Sequence, residues 1–261
     1  MTPSGSRDHS RKSKSSGSPK TSRTMTGGTA GTSVSSSPGA SASNVSNGSS
    51  RRLFTEEFRG IPLFQGDEDA PVRRATFSRG RVADAGRELI GSLGEDLNRE
   101  GLVRTPERFA KAWEYLSSGY NKTAHDVVGE GIFSAEGQSV VAVRSVEFYS
   151  LCEHHMLPFW GEVSVVYLPS DKILGLSKIP RIVDLYARRL QVQERITSQV
   201  ADALVELINP RAVVVRVKAR HLCMMMRGVE IQKSDTVTES VRGIESLNPG
   251  EQQRLFAALL G

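Results

Sequence analysis

The chain has 261 residues, with 34 Lys and Arg against 29 Asp and Glu, 38% hydrophobic residues and a pI near 9.4. That length suits one domain with extensions or two small ones, and only two cysteines exclude the disulfide framework of a small secreted scaffold. No apolar run approaches the roughly 18–20 residues that span a bilayer, and the first residues lack the apolar core of a signal peptide, so a soluble, cytoplasmic protein with no membrane partner is expected.

The charge is unevenly spread. Arg7, Arg11, Lys12, Lys14, Lys20 and Arg23 against Asp8 give residues 1–50 a net +5, which leaves 28 basic and 28 acidic side chains in the rest. The high pI therefore belongs to the first segment, and no nucleic-acid partner is expected for a neutral domain. If that domain handles an anion, it must do so with a few local cations.

Residues 1–50 are dominated by Ser, Gly and Thr and contain no Phe, Tyr, Trp, Leu or Ile. Such a composition buries too little apolar surface to offset ordering entropy, so a disordered basic tail is predicted over 1–55. A Ser-rich, acid-poor start also suits a transit peptide, although no amphipathic Arg-bearing helix is visible. A linker or early ordered segment over 56–79 then leads into a folded domain over 80–261.

Within that domain Val82, Ala85, Leu89 and Leu93 recur at helical spacing. Thr105-Pro106-Glu107-Arg108 opens a second helix, with Thr105 as N-cap, Pro106 in the first helical position, and Phe109, Trp113 and Leu116 as its apolar face. Alternating polarity predicts strands over Val140–Phe148 and Gly161–Leu168. Helices follow over Ser177–Leu190 and Val192–Ile208, the latter burying Val192, Ile196, Val200, Leu204 and Leu207. Ala212–Met226 is a long β-branched run, Gly228–Val241 reads as further strand with a turn at Lys233-Ser234-Asp235, and Asn248-Pro249 introduces a final helix. Runs of strands and helices without βα alternation predict an α+β fold with antiparallel sheet.

Three of the five histidines lie within three residues of a cysteine, in Cys152-Glu153-His154-His155 and His221-Leu222-Cys223. Two thiolates and an imidazole are a ligand set that zinc prefers, and Cys-x-x-His spacing lets both side chains of one turn converge on an ion. His221 and Cys223, two apart in a strand-like run, point to one face. This reading makes Cys152, His155 and Cys223 ligands of a catalytic Zn²⁺ with a fourth position for water, and leaves His154 and His221 for proton transfer. A closed four-ligand structural site, or two buried thiols with no metal, fits the same spacing.

Ser177-Lys178-Ile179-Pro180-Arg181 places Ser177 as N-cap and two cations in a first turn, where they oppose the helix dipole by about 0.3–1 kcal/mol each unless an anion sits there. Arg108 repeats the pattern after Thr105-Pro106, and Arg227 follows the Cys223 segment. Each alone is ordinary surface charge; together they supply the local cations the neutral domain needs. In Gln193-Glu194-Arg195, Glu194 either answers the helix dipole or accepts the paired N–H donors of a guanine.

The segments Cys152–Phe159, Gly175–Lys178, Gln191–Arg195 and His221–Gly228, with Gly101-Leu102 and Thr105–Arg108 upstream, resemble the signature segments of GTP cyclohydrolase I, in order, over a region from about Val82 to Gly243. The resemblance implies hydrolysis of GTP with water to 7,8-dihydroneopterin triphosphate and formate, the first step towards tetrahydrofolate or tetrahydrobiopterin. It implies the tunnelling fold, an antiparallel sheet with helices on one face, the sheets of several subunits joining into a barrel. The assembly implied is a homodecamer of two stacked pentamers with active sites between subunits. By position, Cys152, His155 and Cys223 match the zinc ligands, and His154 and His221 the acid/base histidines. Glu194, with Gln193 beside it, matches the guanine-binding side. Ser177, Lys178, Arg181 and Arg227 match the triphosphate-binding residues, with Arg108 reaching in from a neighbour.

Glu245 stands where the family pattern calls for an aromatic residue, and the C-terminal helix matches poorly. Two other readings compete: a non-catalytic oligomeric module held by the same metal, and another tunnelling-fold enzyme acting on a pterin or purine. Allosteric control is expected on the resemblance, while the sequence does not reveal a regulatory protein partner. The tail is expected to be dispensable: a chain beginning near Arg51 should retain turnover, and loss of turnover on that truncation would refute this.

Overall fold

Valine-rich runs pair into a five-stranded sheet in the computed structural model, which describes residues 76–260 except 138. The tail expected over 1–55 and all but the end of the 56–79 segment lie outside the described residues. The chain enters through a helical hairpin, α1 (Arg79–Ser92) and α2 (Thr105–Leu116), then a 3-10 turn (Ser118–Asn121) and α3 (Ala124–Val128). Next come β1 (Ile132–Ser134), β2 (Val141–Cys152), β3 (Pro158–Leu168), β4 (Lys172–Leu174), α4 (Lys178–Ala187) and β5 (Leu190–Gln191). α5 (Gln193–Ile208), β6 (Ala212–His221), α6 (Leu222–Met225), β7 (Thr236–Arg242), a 3-10 turn (Ile244–Ser246) and α7 (Pro249–Leu260) complete it.

The strand order is β5-β2-β3-β6-β7, antiparallel except for the short parallel β2–β5 pairing, while β1 and β4 form a separate antiparallel ribbon. The mixed α+β class expected from the sequence is the one observed.

Period-two alternation sorts the strands between two apolar layers. Val163, Val165 and Tyr167 of β3 and Val213, Val215, Val217 and Ala219 of β6 join the buried faces of α4 and α5 in the main core. Val166, Leu168, Ala212 and Val214 pack instead with Leu247, Leu255 and Leu259. The expectation of helices on one face is thus corrected: α7 covers one end of the opposite face. Even-numbered valines there need an apolar partner, and the amphipathic α7 supplies it.

β2 carries a bulge. Its register with β3 advances three residues from Val143 to Val146 while β3 advances two, and Ser145 adopts φ 52°. The residues packed on the main core accordingly change from Val141 and Val143 to Val146, Phe148 and Cys152. One extra residue flips every later side chain to the other face, and so it decides which way Cys152 points.

Several boundaries move. Thr105 is the first residue of α2 rather than its cap; Arg104 caps it, and the Thr105 hydroxyl donates to Gly101 O at 3.2 Å. Ser177 occupies the N-cap of α4 without a side-chain capping bond. α4 stops at Ala187, which frees Leu190 and Gln191 to pair with the end of β2. The β run ends at His221, since Leu222–Met225 coil into a helical turn, and the strand expected from Gly228 begins only at Thr236. In α1 the buried residues are Ala83 and Gly86, while Leu89, and Leu93 at its C-cap, are exposed.

Two predictions follow from this packing. At Gly161 an added Cβ would lie 1.9 Å from Lys218 O and 2.6 Å from Ala219 Cα, so Gly161→Ala should lower stability by about 1–3 kcal/mol as backbone is forced apart; an unchanged denaturation midpoint would show that the strands can part freely. Glu251 closes a capping box with Asn248 at the start of α7 and accepts both terminal nitrogens of Arg211, at 2.8 and 3.1 Å. The Arg211 guanidinium holds this carboxyl below the usual carboxylate range. A depressed folded-state pKa stabilises the fold above the ordinary carboxylate value and loses that contribution as pH falls through the depressed one. Thermal unfolding of Glu251→Gln should therefore depend less steeply on acid pH than the parent, and parallel curves would contradict the assignment.

Candidate metal centre and active site

β3 pairs with β2 on one side and β6 on the other, and both pairings reach the same end of the sheet. Leu151 faces Pro158 across the β2–β3 hairpin, and Phe159 faces His221 across β3–β6. The hairpin tip is tight: Met156 N donates to Cys152 O at 2.7 Å, Cys152 N donates to Leu157 O at 2.9 Å, and Met156 adopts φ 54°. His154 and His155 are exposed on this tip, whereas Cys152 is buried on the bulge-determined face.

Cys152, His155 and Cys223 each bring one donor atom within 4.8 Å of the other two. Cys223 lies in α6, not in a strand, so the same-face argument from two-residue spacing does not apply; the helical turn after His221 carries the thiol round instead. Burial, followed by the neighbouring Cys152, pushes the Cys223 thiol up. Two thiols this close resist double ionisation unless a cation lies between them, and a coordinating thiol is deprotonated. With an imidazole added, the donor set fits a metal ion.

The flanking histidines sit against this cluster. His154 Nδ1 is 3.7 Å from Cys152 Sγ. His221 is half-buried and stacks on Phe159, ring centroids 4.6 Å apart and planes 4° from parallel. Burial pushes its imidazole pKa down, and the Glu194 carboxylate works in the opposite direction. Arg227 donates to Cys223 O at 3.2 Å and approaches His155 Nε2 at 3.4 Å.

β5 brings in the start of α5. Cys152 pairs with Gln191, and Glu153 N donates to Gln191 O at 2.9 Å. Arg195 then grips Glu153 through two bonds, at 2.6 and 3.1 Å, and holds that carboxyl below its usual range. Glu194 is exposed, but Gln193 is fully buried, and its side chain bonds His221 rather than lying open beside Glu194. Sequence reasoning missed both the Glu153–Arg195 clamp and this buried amide, since their partners are 42 and 28 residues away.

The remaining cations lie on other elements. Ser177 and Arg181 are exposed at the start of α4, where Arg181 lines a cavity of about 720 Å³ with Ser118, Asn121, Lys122, Asp184 and Arg188. The Lys178 stem crosses Gly131 so closely that a Cβ there would lie 2.2 Å from Lys178 Cε. Arg108 is exposed on α2. Among the described residues Arg227 is hydrogen-bonded to the metal cluster, whereas no hydrogen bond or ion pair joins Ser177, Lys178, Arg181 or Arg108 to it.

Residues 82–259 match the family model for GTP cyclohydrolase I. A GTP cyclohydrolase 1 of Deinococcus radiodurans is 55% identical over 175 residues, covering 67% of this chain and 81% of that protein. One from Leptospira biflexa is 53% identical over 162 residues, covering 62% of this chain and 88% of its own. Among solved structures, an archaeosine synthase QueF-Like in the apo form aligns at TM-score 0.34 and 22% identity, over 41% of this chain and 97% of that one, too slight a likeness to bear on fold or site. With two thirds of its length inside the family model and relatives above 50% identity, the chain belongs to the GTP cyclohydrolase I family and is an enzyme of that type.

Proposed function

We propose that this enzyme is a zinc-dependent hydrolase that converts GTP and water to 7,8-dihydroneopterin triphosphate and formate. The observation that carries the reading is the convergence of Cys152, His155 and Cys223 to within 4.8 Å, flanked by two histidines that are not needed as ligands. The three donors would hold zinc. When bound, zinc supplies a Lewis acid that makes water a competent nucleophile near neutral pH.

Glu194 accepts the adjacent N–H and NH₂ donors of the guanine edge, which orients C8 towards the metal centre. Ser177, Lys178, Arg181 and Arg227 bind the triphosphate, and Arg108 joins them from a neighbouring subunit. His154 and His221 carry the protons: one is delivered to N7 as water adds at C8, and others move as the C8–N bonds break, formate leaves and the ribose rearranges before closing the pterin ring. Histidines suit these repeated transfers near neutral pH.

Assembly fits the same reading. β2 is 12 residues long, yet β5 covers only Leu151 and Cys152 on its outer side, and β7 forms the opposite edge. Open edges of this length favour pairing with other copies, as in a tunnelling-fold barrel and a decamer of two pentamers, where Arg108 of one subunit could meet the α4 cations of the next. Two free thiols used as ligands fit a reducing compartment such as the cytoplasm. The product would enter tetrahydrofolate or tetrahydrobiopterin synthesis.

Incubation of zinc-replete protein with GTP should release formate in equal amount to a product that becomes a fluorescent pterin on oxidation; neither product appearing would overturn the proposal. His154→Ala and His221→Ala should each lower kcat by about 10²–10⁴-fold with zinc retained. Turnover unchanged by either would remove that histidine from the chemistry.

A further inference from the structure

Gln193 is 2% exposed, and every polar atom of its side chain is engaged. The two hydrogens of its Nε2 are shared among Val217 O at 3.1 Å, Thr236 O at 2.9 Å and Thr238 Oγ1 at 3.2 Å. Two of these partners are backbone carbonyls, which can only accept, so the amide cannot be turned end for end. The remaining end, Oε1, faces His221 Nε2 at 2.8 Å. A carbonyl oxygen accepts, and therefore His221 Nε2 must carry the hydrogen.

The bonds behind the amide agree in direction. The Thr197 hydroxyl donates to Gln193 O at 2.7 Å, which leaves its oxygen to accept from Thr238, 2.6 Å away, and leaves Thr238 Oγ1 to accept from Gln193 Nε2. The stacked Phe159 ring fixes the plane of the imidazole. In neutral imidazole the bond made by one nitrogen decides which tautomer is present.

We infer that Gln193 is a positioning residue that, through Oε1, fixes the His221 ring and locks it in its Nε2–H tautomer, which leaves the lone pair on Nδ1. This rests on the proposed role of His221 in proton transfer. It also separates Gln193 from the guanine-binding group in which the sequence placed it.

The test compares Gln193→Met, which keeps the volume and removes the acceptor, with the parent protein and with a His221→Ala background. Expected is a kcat loss of about 10–100-fold, a part of what general acid–base catalysis contributes, with KM for GTP unchanged and no further loss when the two substitutions are combined. Histidine-¹⁵N NMR at a pH where the ring is neutral should show His221 protonated at Nε2 in the parent and a tautomer mixture in Gln193→Met. A raised KM with unchanged kcat would make Gln193 a guanine contact, and losses that multiply with His221→Ala would make it structural; either overturns the inference, as does an Nδ1–H signal in the parent. Should Gln193→Met not fold, Thr238→Val loosens the same amide without emptying the site, and a smaller kcat loss that vanishes in the His221→Ala background is the expected result. Normal turnover by His221→Ala would instead defeat the catalytic role itself, while the parent spectrum would still decide the tautomer.

Discussion

The site depends on one constraint, the register of β3 against both of its neighbours. Pairing of Leu151 with Pro158 and of Phe159 with His221 puts the β2–β3 hairpin tip and the end of β6 side by side. Two segments about 70 residues apart in the sequence thereby supply donors to one cluster. A slip of one residue along β6 would turn His221 and everything after it to the other face. The close approach of Gly161 to the β6 backbone and the stack of Phe159 on His221 both act against such a slip.

A second layer of positioning ties α5 to the same place. β5 pairs beside Cys152, the Glu153–Arg195 ion pair crosses from the hairpin tip to the helix, and Gln193 reaches His221 from beneath. Glu194 is left exposed between these anchors. Fixing the neighbours of an exposed side chain limits how far it can wander at little cost in its own solvation. The charge distribution fits this economy, since in a domain with 28 cations and 28 anions an anion is favoured only where cations are placed locally.

What the sequence disclosed, and what it hid, divides along the range of the interactions. Cys152 and His155 are legible because one turn brings them together. Cys223 reaches the cluster by a geometry other than the strand its spacing suggests, since Leu222 begins a helical turn. The bulge at Ser145 shows in the sequence only as the adjacent polar pair Arg144-Ser145, across which the apolar positions shift from Val141 and Val143 to Val146 and Phe148, and it determines the direction of Cys152. The run Val213-Val214-Val215 is apolar on both faces because α5 lies on one side and α7 on the other, so its periodicity could not reveal the second layer. Gln193 was grouped with the substrate by its neighbour in sequence, while its bonds are to a backbone and an imidazole distant in sequence.

Convergence of Cys152, His155 and Cys223 implies that donors from both segments would form a single zinc centre. The most direct measurement is zinc bound per chain in the parent, Cys152→Ser and Cys223→Ser, read by metal analysis after exhaustive dialysis, with folding checked by circular dichroism. A single zinc per chain is expected in the parent, with its loss in both folded variants. Full zinc retention in folded Cys223→Ser would contradict it, because the end of β6 would then contribute nothing to the metal.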